Sequence, residues 1–226
     1  MANSHYRGTL DTLAQSLAYR LLPEAAIRGI REWKHVRDLA TVSEPEFPAI
    51  RPFVHRGDTV LDIGANFGVF TKFFADCVGS TGRVFSFEPI PITFRNLQKG
   101  IAHYHLLNVA AHNVAVSNRK QVVAMKIPQL ATGGENLYEA EITPDGELEI
   151  PAITVDSLGL SPSFIKIDVE GHEREVLEGA KETLLRSRPA LLVEVIHSEV
   201  IPFLSELGYQ VRWTLRSNHL FSCNPQ

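Results

Sequence analysis

The stretch Val60-Leu61-Asp62-Ile63-Gly64-Ala65-Asn66-Phe67-Gly68-Val69-Phe70 constrains the fold more than any other. Branched apolar residues on either side of Asp62 read as a buried strand over Thr59–Ile63. Gly64 permits a sharp turn, and Gly68 lets the next helix pack close to the strand. Phe70, Phe73, Phe74 and Cys77 then recur at i, i+3, i+4 and i+7, the spacing of a helix with one apolar face. A strand that turns through glycine into a helix is the opening unit of a nucleotide-binding α/β domain. A second strand at 84–87 leads to Glu88, 20 residues beyond Gly68. A carboxylate there can accept hydrogen bonds from both hydroxyls of a ribose.

The turn also narrows the kind of ligand. Asn66 stands where a dinucleotide fingerprint has glycine, and no third glycine follows. Asp62 directly precedes the turn, where a carboxylate repels a pyrophosphate but suits a cation. S-adenosylmethionine, with its sulfonium and ammonium groups, fits these residues better than NAD. An NAD-dependent oxidoreductase on a doubly wound fold is one rival reading, and a non-catalytic nucleoside-binding protein another. The plainer roles are a helix-capping carboxylate for Asp62 and a solvated strand end for Glu88. Their occurrence around one glycine turn favours the nucleoside site. His112-Asn113-Val114-Ala115 ends or follows the third strand and sets a polar side chain beside small apolar ones, as an adenine edge and face require.

Strands and helices alternate through the rest of the chain. Pro91 stands near the start of a helix carrying Phe94, Leu97 and Ile101 on one face. Residues 109–116 and 121–127 read as strands, 130–148 as loop or hairpin, and 153–155 as a short strand. A buried strand at 164–169 precedes a helix at 173–185, with Val176, Leu177, Ala180 and Leu184 inward. A strand at 190–196 and a helix at 201–207, stopped by Gly208, lead to a terminal hairpin around Ser217-Asn218. This alternation predicts a mostly parallel sheet covered on both faces. Upstream, 8–22 and 24–39 have helical periodicity, and 44–52, with Pro45, Pro48 and Pro52, reads as a connector. The expected division is an N-terminal helical extension or cap over 1–52 and one α/β domain over 53–226.

A second constellation is Phe164-Ile165-Lys166-Ile167-Asp168-Val169-Glu170-Gly171-His172-Glu173. In an open α/β sheet, ligands sit beyond the carboxyl ends of strands. Asp168 there can hold the cofactor's ammonium or orient a substrate hydroxyl, and Glu170 can orient the substrate. Glu173 is expected to serve a helix N-terminus and His172 to be an exposed first-turn residue. The strand 190–196 brings Glu194 and then His197, whose imidazole titrates near working pH and makes it a general-base candidate. The 132–145 loop is a candidate gate. No spacing demands a metal ion.

The totals exclude some classes. A net charge of −4 supplies no overall basic surface for nucleic acid. Cys77 and Cys223 form neither a disulfide framework nor a metal-ligand spacing. No apolar leader and no membrane-length apolar run are present. These features predict a cytoplasmic protein with a small-molecule partner. A homo-oligomer is compatible with them.

At these residues the chain resembles the FkbM family of S-adenosylmethionine-dependent methyltransferases. The matching pieces are 62–68, Phe87-Glu88-Pro89, Asn113-Val114-Ala115-Val116-Ser117, Lys166-Ile167-Asp168-Val169-Glu170-Gly171 and Glu194. The resemblance covers roughly 53 to the C-terminus. It implies the Rossmann-like class I methyltransferase fold, a seven-stranded sheet of order 3-2-1-4-5-7-6 with its seventh strand antiparallel. By the same resemblance Asp62, Gly64, Ala65, Asn66 and Gly68 line the methionine part of the cofactor. Glu88 with Pro89 then lines the ribose, and Asn113 with Val114 the adenine. Family members commonly O-methylate hydroxyls of sugars or polyketide-like natural products. The implied reaction is an in-line methyl transfer with Asp168 or His197 as base.

Overall fold

The computed structural model describes residues 33, 34, 36–128 and 140–223. From the amino end come α1 (Phe47–Ile50), β1 (Thr59–Ile63), α2 (Val69–Val78), β2 (Arg83–Phe87), α3 (Pro91–His103) and β3 (Val109–His112). Four strands follow: β4 (Ala115–Val116), β5 (Gln121–Lys126), β6 (Glu141–Ile142) and β7 (Leu148–Ile153). The remainder is β8 (Phe164–Ile167), α4 (Glu173–Glu178), α5 (Lys181–Ser187), β9 (Ala190–Glu194), α6 (Val200–Glu206), β10 (Tyr209–Leu215) and β11 (Asn218–Cys223).

The main sheet has the order β3-β2-β1-β8-β9-β11-β10. Its first five strands pair in parallel, and β11 runs antiparallel to both β9 and β10. This is the expected 3-2-1-4-5-7-6 arrangement. Alternate residues of the central strands feed two cores, because side chains of a strand point to opposite faces in turn. Leu61, Ile63, Ile165, Ile167, Leu191 and Val193 pack with Val176, Leu177, Leu184 and Leu204 of α4, α5 and α6. Val60, Val84, Phe164 and Leu192 pack the other way, onto Phe74 and Val78 of α2 and Ile50 of α1.

A second sheet, β4-β7-β5-β6, has its own apolar cluster of Ile90, Ala115, Val123, Met125, Ile150 and Ala152. The sequence reading did not separate it. The expected strand 109–116 breaks at Asn113-Val114, so β3 stays in the main sheet while β4 pairs with β7 in the second. Of the expected strand 153–155 only Ile153 is strand, as the last residue of β7, which runs earlier in the chain and contains Pro151; Thr154 and Val155 lead into the 3-10 turn Asp156–Leu158.

The expected helix 173–185 is two helices. A Cβ at Gly179 would lie 2.1 Å from the Ser117 carbonyl oxygen, so the chain there is pressed onto another backbone. The new start of α5 is capped from a distance: the Glu182 and Thr183 N–H groups donate to the Asp156 carboxylate. In α3 the buried positions are Thr93, Asn96, Leu97 and Gly100, with Phe94 and Ile101 flanking them half-buried. The stretch 44–52, expected as a connector, contains α1 and starts the 3-10 turn Arg51–Phe53. Pro48 and Pro52 sit in the first turns of these two elements, where a missing N–H costs nothing. The expected helix at 8–22 lies outside the described residues, as do most of that at 24–39 and the 132–139 part of the candidate gate. No described helix is long and apolar enough to cross a membrane.

Candidate active site

The glycine turn is fixed by what it touches. Gly64 has φ 76°, and a Cβ there would lie 1.7 Å from the Asp168 carbonyl oxygen. The end of β1 is therefore pressed against the end of β8, and only glycine fits. The Gly64 and Ala65 N–H groups both donate to the Phe87 carbonyl at 3.0 Å, which ties the turn to β2.

Behind the turn a row of polar side chains crosses three strands. Asp62 is in register with Ser86 of β2 and Lys166 of β8, all on the α2 side. The Thr71 hydroxyl of α2 donates to Asp62 Oδ2 at 2.5 Å and lies 2.9 Å from the Ser86 hydroxyl. Lys166 Nζ donates to the Gly64 carbonyl at 3.0 Å and lies 3.0 Å from Asp168 Oδ2, 3.8 Å from Asp62 Oδ1 and over the Phe70 ring. Asp62 is wholly buried and Lys166 nearly so. Burial disfavours the ammonium, but the charges of Asp168 and Asp62 outweigh it and hold Lys166 above its usual value. Burial pushes the Asp62 carboxyl up despite Lys166 and Thr71. Asp62 thus braces the turn from within and does not line the cavities in front of it.

Two cavities open at the carboxyl ends of the strands and share Gly64, Asn66 and Asp168 in their walls. One, of about 230 Å³, has an acidic wall of Glu88, Asp168, Glu170 and Glu194. Its apolar wall includes Ile90, Val114, Met125 and Ile142, the last two from the second sheet. The other, of about 690 Å³, is bounded by Lys34, Asp38, Leu39 and Val42 and by Ala65, Phe67 and Phe70. The first alone is smaller than the roughly 300–1,000 Å³ of most small-molecule sites; joined through the glycine turn, the pair falls within that range.

Glu88 sits at the β2 end of the first cavity. Its Oε2 accepts from the Asn66 N–H and its Oε1 from the Ile90 N–H, each at 2.9 Å. Burial pushes its carboxyl up to about 7, against those two bonds and the Lys166 charge. Asn113 lines neither cavity; its Nδ2 donates to the carbonyls of Glu88 and Pro89 and holds their loop, while Val114 beside it reaches the cavity wall. Gly68, with φ 95°, packs under Leu97 of α3 and lines neither of these two cavities.

At the opposite end the carboxyls of Asp168, Glu170 and Glu194 lie within 4.8 Å of one another. Burial acts to raise the Asp168 carboxyl, but Lys166 and hydrogen bonding with Lys166 and Glu194 bring it below the usual range. Glu194 is pushed up to about 7 by burial, then by the Asp168 charge and hydrogen bond, with the Ser217 hydroxyl pulling the other way. His197 is exposed, its ring against Gly171, and lines no cavity. His172 is not the exposed residue expected of a first helical turn. Its Nε2 meets the Ser117 hydroxyl at 2.9 Å and its Nδ1 lies 3.5 Å from Glu175, because β4 folds over the start of α4. Glu173 is buried and accepts the Gly171 N–H, closing the turn that carries Glu170.

Sequence reasoning passed over Lys166 and Glu194 as site residues. The signal for Lys166 was available: a lysine inside the apolar run Phe164-Ile165-Lys166-Ile167 is buried only when paired. Glu194 gave no comparable sign, since its neighbours Asp168 and Ser217 come from other elements.

Comparison with known proteins gives one answer. The family model of the methyltransferase FkbM domain matches residues 62–211. The hexuronic acid methyltransferase AglP of Haloferax volcanii is 29% identical over 185 residues, which is 78% of this chain and 71% of that protein. The crystal structure of a methyltransferase FkbM from Methylobacillus flagellatus superposes with a TM-score of 0.55 at 17% identity. That match covers 85% of this chain but only 59% of the other. A methyltransferase from Geobacter sulfurreducens gives 0.51 at 11% identity, covering 93% of this chain and 94% of its own. At such identities the two structures speak for the fold alone.

Proposed function

The chain belongs to the methyltransferase FkbM family, and on that premise we propose that it transfers the methyl group of S-adenosylmethionine to a hydroxyl of a sugar-type small molecule. The observation that carries this reading is the first cavity, with Glu88 at the end of β2 on one side and three carboxyls at the ends of β8 and β9 on the other.

The residues present fit the cofactor. Glu88 Oε1 and Oε2 each meet one backbone donor, and each carboxylate oxygen can accept a further bond from a ribose hydroxyl. Val114, Ile90 and Met125 offer an apolar wall for adenine. The acidic side of the crevice suits a net positive ligand. Gly64 and Asn66 line both cavities and Ala65 the larger one, and the three would hold the methionine part. When bound, S-adenosylmethionine supplies a methyl group on a cationic sulfur, an already activated donor.

This chain's own work is then alignment and proton removal. A hydroxyl is a weak nucleophile, so a base must take its proton as the new bond forms. Asp168, Glu170 and Glu194 stand in the cavity wall for that task, whereas His197 lies outside it. The same carboxyls can accept hydrogen bonds from neighbouring hydroxyls of a sugar and fix which one is presented. The sugar assignment is supported by the name of the archaeal relative and by this density of acceptors.

The test is transfer of a labelled methyl group from S-adenosylmethionine to a panel of hexuronic acids, neutral hexoses and polyketide-type phenols. Label on a sugar oxygen, reduced by Asp168→Asn far more than cofactor affinity is, is the expected result. Label on an amine, or only on the phenols, would contradict it.

A further inference from the structure

We propose that Asp168 and Glu194 share one proton and act as a single acid–base unit, in which Glu194 takes the proton of the acceptor hydroxyl. This rests on the methyl-transfer reading above for the identity of the acceptor, but the shared proton itself does not.

The placement follows from the sheet. Ile167 and Val193 are the last residues in register between β8 and β9, so Asp168 and Glu194 leave adjacent strand ends side by side. The Ser217 hydroxyl, in the turn between β10 and β11, donates to Glu194 Oε1 at 3.0 Å. Glu194 Oε2 is buried and is met by no N–H or hydroxyl of the described residues. The Glu194 and Asp168 carboxyls lie within 4.8 Å of each other and hydrogen-bond. Two carboxylates so placed repel unless a proton lies between them. The Lys166 ammonium, 3.0 Å from Asp168 Oδ2, decides which of the two keeps its charge. It favours ionised Asp168 and leaves the proton on Glu194. Glu170, the third carboxyl facing Glu194, adds a further charge that disfavours its ionisation.

The result is a division of labour. Asp168, held below the usual carboxylate range by Lys166, is the weaker base and is suited to hold a cation or a hydroxyl in place. Glu194 titrates to about 7, where a general base is most effective at neutral pH. Once Glu194 is ionised, the acceptor's O–H bond breaks with its proton going to the Glu194 carboxylate. The oxygen's electron pair forms the bond to the methyl carbon, and the carbon–sulfur pair remains on sulfur as a neutral thioether. Asp168 then stabilises the newly protonated Glu194 by accepting its hydrogen bond.

The proton can be observed without turnover. In the full chain carrying 13C at glutamate side-chain carboxyls, the Glu88 and Glu194 resonances should titrate near pH 7. Glu194→Gln should delete one of them. Asp168→Asn should lower the Glu194 midpoint by at least about one pH unit, because the facing charge is gone. Ser217→Ala should raise it, since a donor to the ionised form is lost, and it leaves both carboxyls in place. With the best acceptor of the panel, kcat should fall on the acid side with a midpoint near 7. In Glu194→Gln it should drop about a hundredfold or more, with a far smaller change in S-adenosylhomocysteine affinity. A Glu194 resonance titrating with ordinary surface glutamates would overturn the shared proton, as would a rate abolished by chelator and restored by a divalent cation. Failure to bind S-adenosylhomocysteine would instead remove the methyltransferase reading while the Glu194 titration still decided the pair.

Discussion

Glu88→Gln separates the two things that residue does, because the change keeps its shape and removes its charge. In the native state the carboxyl titrates at about 7 rather than its ordinary 4.5. The sign follows from linkage: a carboxyl raised on folding contributes its full stability below 4.5 and loses it as pH climbs through 7. Both the surface exposure of Glu88 and its hydrogen-bonded position mark it as buried, so screening takes little from the effect. At about 1.4 kcal/mol per tenfold in proton affinity, the wild type forfeits about 3 kcal/mol between those limits from this group alone. Glutamine cannot titrate, but its amide nitrogen faces one of the two backbone N–H donors and leaves it unmet, at a cost of about 1–3 kcal/mol. The wild type should therefore be the more stable protein at pH 5 by about 2 kcal/mol and should lose that advantage, or fall slightly behind, by pH 8. Urea unfolding of both proteins at pH 5, 6, 7 and 8, followed by far-UV circular dichroism, reads this directly, since all other titrating groups are common to the pair. A stability gap that stays constant over that range, or widens with pH, would refute the claim that Glu88 is held against ionisation.

Lys166→Met leaves the buried Asp62 and the partly exposed Asp168 without their shared cation, and leaving a buried carboxyl such as Asp62 uncompensated costs about 3–5 kcal/mol; a loss under about 1 kcal/mol in urea unfolding would mean that Lys166 does not brace the turn. Gly159→Ala, at positive φ but with nothing within 4 Å of the new Cβ, should cost about 1–2 kcal/mol. Gly64→Ala, whose Cβ would meet the Asp168 carbonyl, should cost several times more or prevent folding, and equal melting temperatures for the two would contradict the contact. Binding of S-adenosylmethionine near pH 6.5 should release protons, because its cationic centres favour ionisation of Glu88 and Glu194. Calorimetry in two buffers of different ionisation enthalpy measures the release, and S-adenosylhomocysteine, which lacks the sulfonium, should release fewer.

The parts of this molecule that are written locally were readable from the chain. A run of branched residues, a glycine that must adopt positive φ and a helix of regular apolar spacing sit within twenty residues and need no distant partner to be recognised. Glu88 follows at a fixed offset because β2 must return beside β1. What escaped notice depends on distant pairing. Lys166 meets Asp62 because β8 is in register with β1, across a separation of about one hundred residues in the chain. Glu194 acquires its character from Asp168 and Ser217. The second sheet was invisible because β4 is only two residues long and β7 contains a proline. The break between α4 and α5 is dictated by Ser117 pressing on Gly179, and the same folding-over of β4 buries His172.

The most direct test of the account is calorimetric binding of S-adenosylhomocysteine to the wild type and to Glu88→Ala. Two ribose hydroxyls bonded to a charged acceptor are worth about 3 kcal/mol together, so the account predicts saturable one-site binding weakened roughly a hundredfold by the substitution. Equal affinity in the two proteins would contradict the placement of the nucleoside at Glu88, and no binding to the folded wild type would contradict the cofactor itself.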